Sequence, residues 1–100
     1  MTDIKTIVEG DRTIIKYSGV LDTKRAPELT KILDEVTSRE GDVVLDFSEL
    51  DYILSAGIRS LLFACKKLKS RDRLLEITGA SQEVVDVLSM TGVDRVSRIR

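Results

Sequence analysis

Histidine is absent from this 100-residue chain. That excludes Ser-His-Asp and Cys-His nucleophilic catalysis, imidazole proton transfer and nearly every catalytic zinc site. Cysteine occurs once, as Cys65, so no internal disulfide can form and a reducing cytoplasm is the expected compartment. Long apolar runs are missing too. Nothing approaches the roughly 20 residues of a membrane span, and Met1-Thr2-Asp3-Ile4-Lys5 lacks the apolar run of a signal peptide. Neither sign of charge dominates: 16 Lys+Arg face 17 Asp+Glu, a formal net charge of −1. Without a basic excess, neither nucleic acid nor an anionic membrane is expected as the main partner. No G-x-x-x-x-G-K-[ST] loop is present to cradle a phosphate. These absences remove most of the tools of an enzyme, so no catalytic residue, cofactor, metal or small-molecule substrate is expected.

What remains has an ordinary globular balance, 42% hydrophobic and 33% charged. The length suits one domain over residues 1–100, burying roughly 60–70% of its unfolded surface without disulfide or metal.

Two β-branched stretches, residues 4–9 and 13–18, flank Gly10-Asp11. Glycine at the first turn position suits a type II′ hairpin, so the chain is expected to open with an antiparallel pair. Asp22 or Thr23 then offers a helix cap, with Pro27 in the first turn, where its missing N–H costs little. Ala26, Leu29, Ile32, Leu33 and Val36 form a helical stripe, and Gly41 is placed to close that helix. Residues 43–47 are apolar but for Asp46, the pattern of a strand buried on both faces. Residues 48–54 read as a loop leading to a second helix from Ser55, whose packing stripe is Ile58, Leu61, Leu62, Cys65 and Leu68. Residues 74–77 read as a further buried strand. Ser81 caps a third helix carrying Val84, Val85 and Leu88, closed near Gly92, and residues 93–99 hold a short last strand. The order ββαβαβαβ predicts an α/β fold: a mixed, mostly parallel sheet with an N-terminal hairpin at one side and helices packed on it.

The unusual stretch is Leu54-Ser55-Ala56-Gly57-Ile58-Arg59. A serine at a helix start, followed by two small residues, sits where backbone N–H groups and the helix dipole favour negative charge. A phosphate on Ser55 suits that position. An equally simple reading is that Ser55 caps the helix and Gly57 permits close packing. Ser55 has no catalytic base, since no histidine exists and position 58, three residues on, is isoleucine rather than lysine. Asp22, Asp46, Glu49 and Asp51 follow no metal-loop spacing and read as solvated carboxylates. Cys65 on the apolar stripe reads as an inert thiol, and the basic run 66–73 as a solvated helix end.

Gly19-Val20-Leu21-Asp22 after the second strand, residues 43–53, and Leu54-Ser55-Ala56-Gly57-Ile58 opening the second helix carry a resemblance. Together they resemble the STAS domain, the fold of bacterial anti-sigma-factor antagonists, over essentially the whole chain. The first stretch is similar to the family's G-x-L-D and the last to its D-S-[ST]-G-L signature. Here Leu54 stands where the family carries an acid, and Ala56 where it carries Ser or Thr.

The resemblance implies partner switching. Ser55 occupies the phosphorylated position of the signature. Unphosphorylated, the domain would bind an anti-sigma serine kinase and free a sigma factor or other target. Phosphorylated by that kinase, it would be released, and a serine phosphatase would reset it. The implied contact surface comprises Asp22, Thr23, Leu54, Ser55, Ala56, Gly57 and Arg59. In the alternative, the chain is an unmodified scaffold or subunit of a transporter-associated or signalling complex, with Leu54 the reason.

Overall fold

The computed structural model describes residues 3–100. Its elements run β1 (Asp3–Glu9), β2 (Arg12–Leu21), α1 (Ala26–Thr37), β3 (Asp42–Ile53), α2 (Ser55–Lys69), β4 (Leu75–Thr78), α3 (Gln82–Met90), a 3-10 turn Val93–Arg95 and β5 (Ser97–Ile99). The five strands lie in sequence order, β1 antiparallel to β2 and every later pair parallel. The expected order and the hairpin are both found. Gly10 takes φ +60° between paired Glu9 and Arg12, as a II′ turn requires.

Because β2 to β5 are laid down in one direction and crossovers are right-handed, all three helices fall on the same face. Alternation then selects the core. Ile15, Tyr17, Leu45, Phe47, Leu75 and Ile77 point at the helices and are essentially buried. They join Leu29, Leu33, Leu61, Leu68, Val84 and Leu88 in one cluster. The opposite face carries the row Ile7–Ile14–Val44–Glu76–Arg98 and, among the described residues, no helix.

Several boundaries differ from the sequence reading. Residues 48–53 are not a loop: β3 continues to Ile53, pairing Ser18 with Glu49, Gly19 with Leu50, Val20 with Tyr52 and Leu21 with Ile53. Register irregularities beside Ser18 and Val20 break the alternation that marks a strand, so the polar pair Ser48-Glu49 reads as loop in sequence. Gly41 does not close α1, which ends at Thr37. It takes φ +112° where the chain lies against the carbonyl of Asp11, with no room for a Cβ, and Asp42 N–H donates to that carbonyl at 2.9 Å. On α2, Leu62 is 37% exposed rather than packed; Gly57, Ile58, Ser60, Leu61, Ala64, Cys65 and Leu68 form the buried side. Residues 93–99 divide into the 3-10 turn and three strand residues. Ser81 caps α3 as expected, accepting from Val84 N–H at 3.2 Å. Among the described residues no helix is long and apolar enough to cross a membrane.

Cys65 is 1% exposed, and burial pushes its thiol up to about 11. The folded state holds the proton more tightly than the unfolded chain, whose thiol titrates near 9.0. The stabilisation is therefore complete below pH 9 and is lost as pH rises towards 11, about 2 kcal/mol by pH 11. Urea unfolding between pH 8 and pH 11 is expected to show this extra loss in the natural chain and not in Cys65→Ala, with the other titrating groups cancelling between them. Parallel pH profiles would show that Cys65 does not stay protonated in the fold. Native Cys65 is also expected to react with thiol reagents far more slowly than the denatured chain, and Cys65→Ser to destabilise by about 1–3 kcal/mol.

Candidate functional site

The site lies at the C-terminal ends of β2 and β3. Leu21 and Ile53 are paired neighbours, 0% and 1% exposed, and Leu54 N–H donates to Leu21 O at 2.9 Å. The two chains diverge from this clamp, one into the turn before α1, the other directly into α2. Only Leu54, extended at φ −108° and ψ 172°, separates β3 from the helix.

Leu54, not Ser55, is the N-cap residue, and it has no side-chain oxygen to offer. This corrects the capping reading of Ser55, which is the first helical residue. The first helical bonds run from Gly57 and Ile58 N–H to Leu54 O, at 2.9 and 3.1 Å. The N–H groups of Ser55 and Ala56, and the Ser55 hydroxyl, are assigned no partner among the described residues, and Ser55 is exposed. No acidic residue lies in the first turn of α2. The result is a helix start with positive potential and an unoccupied hydroxyl at its tip.

Gly57 is buried beneath this surface. A Cβ there would sit 2.6 Å from Leu21 Cγ and 3.0 Å from Ile53 Cγ1. Glycine lets the first turn of α2 descend onto the clamp, so Gly57 serves the site by packing rather than by contact. Asp22 is half-buried, and its Oδ1 accepts from Lys24 N–H at 3.1 Å and Arg25 N–H at 3.0 Å. It shapes the turn ahead of α1 instead of capping the helix, whose N-cap is Arg25. Beneath that turn Tyr17 donates its hydroxyl to Val20 O at 2.8 Å, its pKa raised by burial and then by the negative charge of Asp22. Thr23 and Arg59 are exposed, and Leu54 is 43% exposed. Within residues 48–54, Leu50 and Ile53 are buried, while Ser48, Glu49 and Asp51 face solvent.

The sequence reading missed a groove between α1 and α2, about 550 Å³, lined by Thr23, Pro27, Lys31, Arg59 and Phe63. Thr30 and Ser60 hydroxyls meet at 2.5 Å across its floor, and Lys67 binds Asp34 at 2.6 Å at its far end. Phe63 stands 67% exposed on its rim. The signal was present: Ala56, Arg59, Ser60, Phe63 and Lys67 recur at helical spacing beside the main stripe. Among the described residues no three Cys, Asp or Glu converge as metal ligands. Asp46 accepts from Ser48 N–H at 2.9 Å, and Glu49 meets Lys16 at 3.4 Å.

Residues 6–99 match the family described as "Mlab, STAS domain". The chain belongs to the STAS domain family. It is similar to the anti-sigma-B factor antagonist of Staphylococcus epidermidis, 30% identical over 93 residues, covering 91% of this chain and 85% of that protein. The protein of the same name from Listeria monocytogenes is 28% identical over 91 residues, 90% of this chain and 80% of that one. A crystal structure of an anti-sigma factor antagonist from Mycobacterium paratuberculosis superposes with a TM-score of 0.87 at 18% identity, covering 99% of this chain and 85% of its own. The STAS fold inferred from residues 19–22, 43–53 and 54–58 is therefore the fold observed.

Two substitutions separate packing from surface in this STAS domain. Gly57→Ala is expected to destabilise by about 1–3 kcal/mol through overpacking against Leu21 and Ile53, despite alanine's better helix propensity. Ser55→Ala, which removes no capping bond, is expected to stay within about 0.5 kcal/mol of the natural chain. Urea denaturation checks both. A neutral Gly57→Ala would show that the clamp gives way.

Proposed function

We propose that this STAS domain is an anti-sigma-factor antagonist that works by partner switching, with Ser55 as the reversible phosphoacceptor. The observation that carries the reading is the Ser55 hydroxyl. It is exposed on the first residue of a helix whose cap is an aliphatic side chain, and no bond among the described residues occupies it. The names of the curated relatives support the same role. In this reading the chain is substrate and ligand rather than catalyst, in the bacterial cytoplasm. An anti-sigma serine kinase binds the unphosphorylated surface formed by Thr23, Leu54, Ser55, Ala56 and Arg59, above Asp22 and Gly57. The kinase's target is thereby freed, and a serine phosphatase restores the binding form.

The electrostatics suffice for a switch. Phosphoserine adds roughly −1.5 to −2 charges at the centre of that surface. An uncompensated charge buried in an interface costs on the order of 3–5 kcal/mol, which lowers affinity roughly a hundred- to several-thousand-fold. Ser55 contributes nothing to the hydrophobic clamp below it, so the switch operates at the surface, without refolding.

One observation favours a second reading. Leu54, in the family's acidic position, presents an apolar side chain beside Ser55, and Phe63 another on the groove rim. Such a surface suits a permanent contact, as in a scaffold or subunit of a transporter-associated or signalling complex.

The deciding experiment incubates the chain with its kinase and ATP, maps phosphate by mass spectrometry and measures the complex before and after. Partner switching predicts stoichiometric phosphate on Ser55 that dissolves the complex. It also predicts that Ser55→Ala stays bound and unmodified, and that Ser55→Asp binds more weakly. Tight binding with Ser55 never phosphorylated would overturn it in favour of the scaffold.

A further inference from the structure

One edge of the sheet lies outside this site. β1 is paired on one side only, every residue but Ile4 is exposed, and Ile7 and Val8 are 48% and 62% exposed. Edge strands are ordinarily guarded by proline, a bulge or charged side chains, and β1 carries the charges Asp3, Lys5 and Glu9. β1 has no proline, and its register with β2 is unbroken from Asp3 to Glu9. Beside a two-residue turn the paired residues exchange both bonds and then alternate. Lys5, Ile7 and Glu9 therefore direct their backbone groups at β2, whereas Ile4, Thr6 and Val8 direct theirs at solvent. The side chains of Lys5, Ile7 and Glu9 share the helix-free face, where Ile7 continues the row Ile14–Val44.

We propose that this edge binds a second copy of the chain, strand to strand and antiparallel, about a twofold axis at Ile7. Keeping the helix-free faces of both sheets on one side restricts the choice of register to pairs of like parity. Centred on Thr6, Asp3 would meet the second copy's Glu9; centred on Lys5, that lysine would meet itself; both oppose like charges. Centred on Val8 or on Ile4, only residues 7–9 or 3–5 of the described strand pair. Centred on Ile7, Lys5 meets Glu9 of the second copy twice, Ile7 meets Ile7, and Thr6 and Val8 exchange the backbone bonds that their free groups offer. One apolar row, Val44–Ile14–Ile7 in each copy, then runs across a continuous sheet. Glu9 is available for this, since its contact with Arg12 is a 3.4 Å pair between two half-exposed side chains. The seam is shorter than a standard interface, so the dimer is weak and forms at high concentration. It uses no residue of the Ser55 surface.

Sedimentation velocity from micromolar to millimolar concentration tests it, with circular dichroism confirming that each variant is folded. The natural chain is expected to dimerise reversibly. Lys5→Glu and Glu9→Lys are each expected to weaken the dimer about tenfold, and the double variant to restore it, because the pairs re-form with signs exchanged. Thr6→Pro is expected to abolish it while leaving the hairpin, since the N–H removed points away from β2. A chain monomeric at millimolar concentration overturns the proposal. So does a dimer indifferent to Thr6→Pro and both charge reversals, or one abolished by Phe63→Ser instead, which would place the contact in the α1–α2 groove.

Discussion

The contact of Leu21, Ile53 and Gly57 is the constraint on which the rest depends. Two buried side chains at the ends of adjacent parallel strands leave no space for a Cβ on the helix above them. Glycine lets α2 begin one residue after the strand, and the Leu54 N–H to Leu21 O bond ties the two strand ends together at that point. Lengthening this connection or raising the helix would move Ser55 away from the Asp22 turn. The adjacency of Thr23, Leu54, Ser55 and Arg59 is thus a consequence of apolar packing beneath them, not of any attraction among them.

Packing and surface are thus separate in this domain. Several polar residues that hold the fold are satisfied: Tyr17 bonds Val20 O, Asp22 holds its turn, and Thr30 meets Ser60 between the helices. The ion pairs Lys16–Glu49, Arg73–Asp42 and Arg100–Glu76 sit on or beside the open sheet face. Such exposed pairs contribute little stability; their main effect is to leave that face without a dominant sign of charge. A change of charge at Ser55 therefore meets a nearly neutral molecule and acts locally.

Strand order accounts for the two kinds of surface. Consecutive right-handed crossovers place the helices on one face, so helix ends and the helix groove collect there. The hairpin opens the sheet in the other direction and leaves β1 as a backbone edge. The first surface presents side chains and a helix dipole, the second a ladder of N–H and C=O groups.

Periodicity and turn chemistry determined much of this protein from sequence alone. The hairpin at Gly10-Asp11, the α1 stripe from Ala26 to Val36, the buried run 43–47 and the Ser81 cap are local patterns, set by residues within a few positions of each other. The motif 54–58 placed Ser55 at a helix start for the same reason. Only tertiary structure decided what depends on distant partners. The strand character of 48–53 exists because β2 lies alongside with its register irregularities. Gly41 answers to Asp11 and Gly57 to Leu21, each across the fold. Leu62 and Phe63 are as hydrophobic as Leu61, yet they stay exposed because rotation about α2 is fixed by the close approach at Gly57. Hydrophobicity in a sequence states what gains by burial, and the geometry of the neighbours decides which of those residues are covered.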